Sequence, residues 1–355
     1  MGSGAITADR ALLAAARGGD EGAYRRLVEA YRGELHAHCY RMLGSVHDAE
    51  DALQDALLRA WRGLARFEGR SSLRAWLYRI ATNTCLDVVA RRPKRVLPID
   101  FGPSGDPHDG PGEPLVESIW VEPYPDERLG LADGFAAPEA RYELRESVEL
   151  AFIAALQLLP PRQRAVLILR AVLGFSAAEV AEALDTTVAS VNSALQRARK
   201  TIDEHGPDHS QQETLRSLGD DGVRELVERY VDAWERGDVD AVAAMLAEDA
   251  VIAMPPMASW FRGPGVLVFL REWAFSGRVY NAEGNRRVRV IPARASGQPA
   301  FGTYSWDPER ERYLPTVLQV LTLRDGRIEE ITGFVAPELF AHFGLPDSLA
   351  ATRDS

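Results

Sequence analysis

The chain has 355 residues, 26% of them charged, and a formal net charge of −11. That length suits two or three domains, and the acidic balance excludes a protein that coats nucleic acid through overall charge, so any phosphate contact must come from a local basic patch. No apolar run approaches the ~18 residues of a membrane span, no basic-then-apolar leader opens the chain, and the two cysteines, Cys39 and Cys85, suit a reducing compartment; a cytoplasmic location without membrane contact is expected.

Residues 9–95 read as helical. Leu12, Leu13 and Ala16, then Tyr24, Leu27, Val28, Tyr31 and Leu35, recur at three- and four-residue steps. Asp20 can cap the second of these helices, Ser45 or Asp48 the next, and Ser71 or Ser72 the one from Leu73 to about Arg92. Arg92-Pro93 ends it, because the residue before a proline avoids the helical basin. His36, His38 and Cys39 match no standard zinc spacing, and no metal or cofactor is expected. Two blocks of opposite charge stand out. His47–Asp55 holds four acids and no Lys or Arg, whereas Arg59–Arg95 holds ten Arg/Lys against Glu68 and Asp87, with Trp61, Phe67, Trp76 and Tyr78 among them.

Residues 96–137 change character. Pro98–Glu139 is rich in Pro and Gly and has ten acids against the single cation Arg128, which predicts an extended or disordered linker. Its centre, with Ile119, Trp120, Val121 and Tyr124, is either a docking segment or a set of incidental aromatics. Helical periodicity returns over 138–205, a second polar linker is expected over 206–221, and 222–346 has another grammar: helices first, then alternating segments at Arg287–Pro292, Ala300–Trp306, Thr316–Leu323 and Ile328–Phe334. Asp325-Gly326 is a strong hairpin signal, and the order predicts an α+β domain.

The stretch Ser176–Arg199 has two helices joined by a turn of three or four residues. Val180, Ala181 and Leu184 face Val191 and Leu195, the pattern of a helix-turn-helix whose second helix enters a major groove. An ordinary helical hairpin has the same periodicity. In a helix-turn-helix, Thr187, Ser190, Asn192 and Ser193 would face base edges, and Arg197, Arg199 and Lys200 would sit on phosphates.

Three stretches carry a family resemblance: DAEDALQDALLRAW (Asp48–Trp61), SSLRAWLYRIATNTCLD (Ser71–Asp87) and LPPRQRAVLILRAVLGFSAAEVAEAL (Leu159–Leu184). Over residues 10–205 the chain resembles the extracytoplasmic-function (ECF) type of sigma-70 factor. The remainder is similar to ECF groups with a SnoaL-like (NTF2-like) extension, the SigG-like proteins among them. The resemblance implies a multidomain fold: two all-α sigma domains, the second a helix-turn-helix, followed by an α+β NTF2-like cone domain that is expected to be regulatory. It implies a promoter-recognition subunit whose partners are core RNA polymerase, through its β′ and β subunits, and promoter DNA. Asp48, Glu50, Asp51 and Asp55, with Leu53 and Leu57, would meet polymerase. Arg70, Arg74, Arg79, Arg91 and Arg92 would supply charge at the −10 element, and Trp76, Tyr78 and Asn83 would contact base or backbone, Trp76 being base contact or core. Asn192 and Ala194 stand where the commoner recognition helix has cations, so −35 binding should be weaker. In the family the acidic linker runs through the polymerase.

Tyr230, Trp234, Met254, Trp260, Phe269 and Trp273 would line the cone's pocket for an unknown small-molecule ligand, or form its core. No catalytic set is expected, since nothing ties Asp232, Asp249 and His342 together. The alternative function is a one-component helix-turn-helix regulator with a ligand-sensing C-terminal domain, which would bind duplex operators unaided.

Overall fold

The apolar steps of residues 11–89 build a helical domain in which a short helix over 11–17 precedes three longer ones with capped starts. The computed structural model describes residues 11–115, 119–129, 143–206, 210–278 and 287–351. Helix α1 (Glu21–Leu43) starts on Asp20, whose carboxylate accepts from the Ala23 amide at 2.9 Å, and stops at Gly44, where φ is 70°. Helix α2 (Val46–Gly63) starts on Ser45, and α3 (Leu73–Val89) on Ser72. Leu27, Leu35 and Met42 of α1, Ala49, Leu53, Ala56 and Ala60 of α2, and Leu77, Ala81 and Cys85 of α3 are buried together. The run of alanines on α2 lets its neighbours approach closely. Cys39 and Cys85 are free thiols inside this core.

Contacts divide the chain into two compact units. Met1–Lys94 and Arg128–Gly206 form one, Arg95–Glu127 and Pro207–Ser355 the other. In the first unit the second helical domain comprises α4 (Leu150–Leu158), α5 (Pro161–Leu167), α6 (Ala177–Ala183) and α7 (Val188–His205). Pro161 begins α5, where its missing N–H costs nothing, and the helix runs on through Ile168–Val172. The expected helix start at Pro138 lies outside the described residues.

The two helical domains pack on each other. Arg164 of α5 donates to the Met42 carbonyl at 2.5 Å, to the Gln157 side chain, and to the carbonyls of Gln157 and Leu159 at 3.1 and 3.3 Å. Arg41 of α1 donates to Ser147 Oγ at 2.7 Å. The Tyr78 and Phe175 rings meet edge to face, centroids 5.2 Å apart, and the Arg74 guanidinium lies 4.9 Å from each ring centre.

The second unit is built on a mixed sheet of order β2-β1-β6-β5-β4-β3. Its strands are β1 (Leu246–Ala253), β2 (Trp260–Arg262), β3 (Val288–Ala295), β4 (Gln298–Asp307), β5 (Arg312–Arg324) and β6 (Arg327–Phe334), with β7 (Leu349–Ala350) added to β5. Asp325 and Gly326 both take positive φ in the β5–β6 turn, as the hairpin signal requires. Helices α8 (Gln211–Arg236), α9 (Val239–Met245) and α10 (Pro264–Phe269) cover one face of the sheet.

The centre of the first polar linker takes the docking alternative, while the second linker departs from expectation. Residues 95–127 are docked on the C-terminal domain. Trp120 and Tyr124 are 5% and 0% exposed, each worth about 1.5–3 kcal/mol on burial. The backbone also pairs: Leu115 N donates to Pro256 O at 3.1 Å, and Tyr124 O accepts from Ser296 N at 2.7 Å. The Trp120 indole donates to Pro256 O at 3.0 Å. Low mean hydropathy hid a few strong anchors. The second linker is helical from Gln211. The sheet register shifts between Thr322 and Leu323, which leaves ladder groups unpaired. The Gln211 amide serves them, accepting from Leu323 N at 2.7 Å and donating to Leu323 O at 2.9 Å.

Gly110 is a close-approach glycine. At φ +77° an added methyl would lie 2.5 Å from the Trp273 ring. Gly110→Ala is expected to cost about 1–3 kcal/mol and to free the segment around it, seen as faster proteolysis between residues 104 and 115. Gly102→Ala, with open space around it, is the control; equal cleavage of the two variants would refute the docking argument.

His38 makes the first unit acid-sensitive. Its Nε2 lies 2.8 Å from Thr82 Oγ1, which itself donates to Tyr78 O, so Nε2 carries the proton, and Nδ1 is buried without a partner. Burial, then the charges of Arg41 and Arg74, push its pKa from 6.5 down to about 3. The unfolded chain therefore takes up a proton below pH 6.5 that the folded chain refuses. Stability is full above that pH and falls as pH drops toward 3, by about 2 kcal/mol at pH 5. Thermal melts should show this slope between pH 7 and 5, and His38→Gln should flatten it; parallel slopes would clear His38.

Candidate nucleic-acid interface

The acidic block and the basic block lie on adjacent helices but sort differently from their sequence order. On α2, Asp51, Asp55 and Leu58 fall at i, i+4 and i+7, a single helix stripe. All three face solvent, Leu58 at 53% exposure. Leu58 escaped the sequence reading, although the same spacing identifies it. Leu53 is a core residue and Leu57 is half-buried, its carbonyl accepting from Tyr24 Oη at 2.6 Å. Leu53 is thus removed from the polymerase-facing set. Asp48 is buried and ion-paired with Arg92. Glu50 is half-buried between Arg32, at 3.3 Å, and Arg128, at 3.0 Å. Burial alone would raise its pKa, but His36, Arg128 and Arg32 outweigh it and hold the carboxyl below the usual range. The linker's one cation therefore sits on a carboxylate of the acidic helix.

The basic block forms one wall of a cleft of about 340 Å³. The loop Phe67–Ser72 and the first turns of α3 bring Arg66, Arg70, Arg79, Phe67 and Trp76 to this wall, and Glu179, Glu182 and Ala183 of α6 form the other. Arg66, Arg79 and Glu182 make no ion pair among the described residues; Arg70 pairs with Glu68 at 2.8 Å. Trp76 is partly packed and partly open. One edge packs on Phe67, centroids 5.0 Å apart, and against Gly63, while the rest lines the cleft.

Two expected DNA contacts are placed elsewhere. Tyr78 is 1% exposed and donates to Glu34 at 3.2 Å, and burial, then Glu34, push its pKa up. A side chain on α3's inner face cannot also reach a base. Arg74 is gripped by Glu34 at 2.9 Å. Asn83 and Arg91 are exposed, as is Arg92 apart from its pairing with Asp48.

The helix-turn-helix is formed as its spacing predicts. A capping box between Ser176 and Glu179 opens α6. Asp185 turns the chain at φ 49°, and Thr187 caps α7 by accepting from Ser190 N at 3.1 Å. Val180, Leu184, Val191 and Leu195 close the inner face. Thr187, Ser190, Asn192, Ser193, Arg197, Arg199 and Lys200 are all exposed.

In the second unit, Tyr230, Trp234, Met254 and Phe269 fill the core between helices and sheet, with Trp273 packed against it. Trp234 stacks on Phe275 at 4.6 Å and Tyr230 on Phe301 at 4.5 Å. Trp260 is on the other face, with Val251, Ala253 and Ile99, and donates to Gly102 O at 2.8 Å. These six residues therefore do not line one cavity. Asp232 and Asp249 are exposed and paired with Arg236 and Arg324.

The fold is that of two all-α modules, the second a helix-turn-helix, with an attached α+β domain. Family models match at Sigma-70 region 2 over residues 27–95, Sigma-70 region 4 over 149–202 and a SnoaL-like domain over 227–331. The chain is 44% identical over 326 residues to the ECF RNA polymerase sigma factor SigG of Mycobacterium tuberculosis strain H37Rv, covering 91% of this chain and 84% of that protein. It is 30% identical over 186 residues to SigW of Bacillus subtilis strain 168, covering 52% and 89%. The crystal structure of M. tuberculosis SigJ shares the fold, with a TM-score of 0.53 and 23% identity over 90% of this chain and 98% of that one. The chain belongs to the ECF RNA polymerase sigma factors, in the form that carries a C-terminal SnoaL-like domain. Among the described residues no helix is long and apolar enough to cross a membrane.

Proposed function

We propose that this sigma factor docks on core RNA polymerase through the Asp51–Asp55–Leu58 stripe of α2, holds the opening −10 strand on the Arg66–Arg79 wall, and reads the −35 element with α7. We further propose that the free protein keeps its two DNA faces closed on each other. The cleft carries this reading: the carboxylates of Glu179 and Glu182 stand where a phosphate chain would approach Arg66, Arg70 and Arg79. Elements at −10 and −35 are ~25 base pairs, or roughly 85 Å, apart along a duplex. Modules whose Tyr78 and Phe175 rings touch must part to span that distance.

The domain extents follow: region 2 over 9–95, region 4 over 138–205, and a regulatory C-terminal domain that takes in 95–127 as well as 210 onward. Residues 95–127 extend to ~110 Å when released, so their docking limits how far the modules can separate. The packing of Tyr230, Trp234, Met254 and Phe269 as core argues for a domain that regulates through this docking, and no small-molecule ligand is assigned to it. The protein acts by binding and carries no reaction of its own. A one-component operator binder would gain nothing from a polymerase-facing acidic stripe.

Asp51→Lys should weaken core binding about tenfold, the effect of 1.4 kcal/mol, with no change in melting temperature. Asp48→Asn should lower the melting temperature and leave core affinity alone. Run-off transcription at limiting sigma factor reads the first, and equal output from wild type and Asp51→Lys would refute the docking stripe.

Closure is read by energy transfer between dyes at Arg62→Cys and Asp203→Cys, the native cysteines being buried. High transfer in the free protein should be lost on forming a holoenzyme–promoter complex; a distance that stays the same would sink the closed-state proposal.

A further inference from the structure

On α7, Val191, Leu195 and Ala198 are buried, which fixes the inward direction of the helix. At 100° per residue, the outward line passes through Ala189, Ser193 and Lys200, with Gln196 within ~50° of it. Ser190 and Asn192 fall on the flanks. Ala189 and Ser193 are too short to do more than admit a base edge, and Lys200 lies in the helix's later turns, where phosphates are met. Gln196 is exposed and makes no hydrogen bond among the described residues. It lies ~12 Å along the axis from Val188, about the width of a major groove. It is the one long side chain on this face whose tip carries both a donor and an acceptor.

We propose that Gln196 is a specificity-determining residue of this sigma factor, reading an adenine of the −35 element through N6 and N7. Asn and Gln pair with adenine in this bidentate way, whereas guanine is read by Arg or Lys. No cation precedes Arg197 on α7, so the helix's first two turns have no guanine reader. Ser193 and Ala189, one and two turns before it on this face, are small enough to allow the backbone close for the Gln196 amide to reach.

The inference rests on α7 being the −35 reader, and the experiment separates the two. Holoenzyme is assembled with wild type or Gln196→Ala and selects from duplexes randomised upstream of a fixed −10 element. Alanine is the better helix former, so α7 is kept. The expected result is loss of preference for adenine at one position, by roughly 5- to 100-fold, with the other preferences retained. Replacing that adenine by 7-deazaadenine, which lacks N7, should weaken the wild type and leave the variant indifferent. Gln196→Arg should move the preference toward guanine. If the wild type shows no upstream preference at all, the reading of α7 fails. If preferences survive in Gln196→Ala, or if 7-deazaadenine costs both proteins equally, the assignment to Gln196 is overturned while α7 stands.

Discussion

The closed arrangement of the first unit turns on one guanidinium. Arg164 is 4% exposed and is held by the carbonyls of Met42, Gln157 and Leu159 and by the Gln157 side chain. None of these partners is a carboxylate. Burial lowers its pKa to about 10, and the nearby Cys85 thiol raises it only slightly. A buried charge held by neutral oxygens keeps much of its desolvation cost. Across the interface Arg164 holds only the Met42 carbonyl, a bond that water can replace when the domains part, while its bonds to Gln157 and Leu159 stay within the second helical domain. The apolar side of the same interface, Phe175 on Tyr78, supplies the compensating burial.

Most of the helical framework was legible because its signals are local. Asp20, Ser45 and Ser72 cap the helices that their positions mark. The Asp325-Gly326 hairpin follows from the need for positive φ at both residues. What was hidden is long-range. Nothing in WVEPYP says which surface will receive Trp120 and Tyr124, and average composition argued the other way. Gln211 and Gln212 read as linker because amides are polar. They are buried because the sheet's register shift and the Gly297 carbonyl give their amides matching partners.

The site shows the same limit. Charge blocks marked two candidate helices, but not which of their residues face out. Leu53 and Leu58 are five apart on α2 and end on opposite sides, one in the core and one in water. Tyr78 and Arg79 are neighbours, and the turn of α3 sends only Arg79 to the cleft. Residue type gave the chemistry, while helix phase, fixed by which face is buried, gave the accessible subset.

Closure has a quantitative consequence for a protein of this kind. If polymerase engages only the open form, its apparent affinity is the intrinsic one multiplied by the open fraction. Each 1.4 kcal/mol favouring closure weakens apparent binding tenfold. Half-buried ion pairs such as Arg128–Glu50 contribute at most ~1 kcal/mol, whereas the docked aromatics of residues 95–127 contribute several. On the proposed closed state, control of the open fraction would belong to the docked segment more than to the salt bridges. A signal that loosens Trp120 and Tyr124 from the C-terminal domain would change transcription more than one that screens charge.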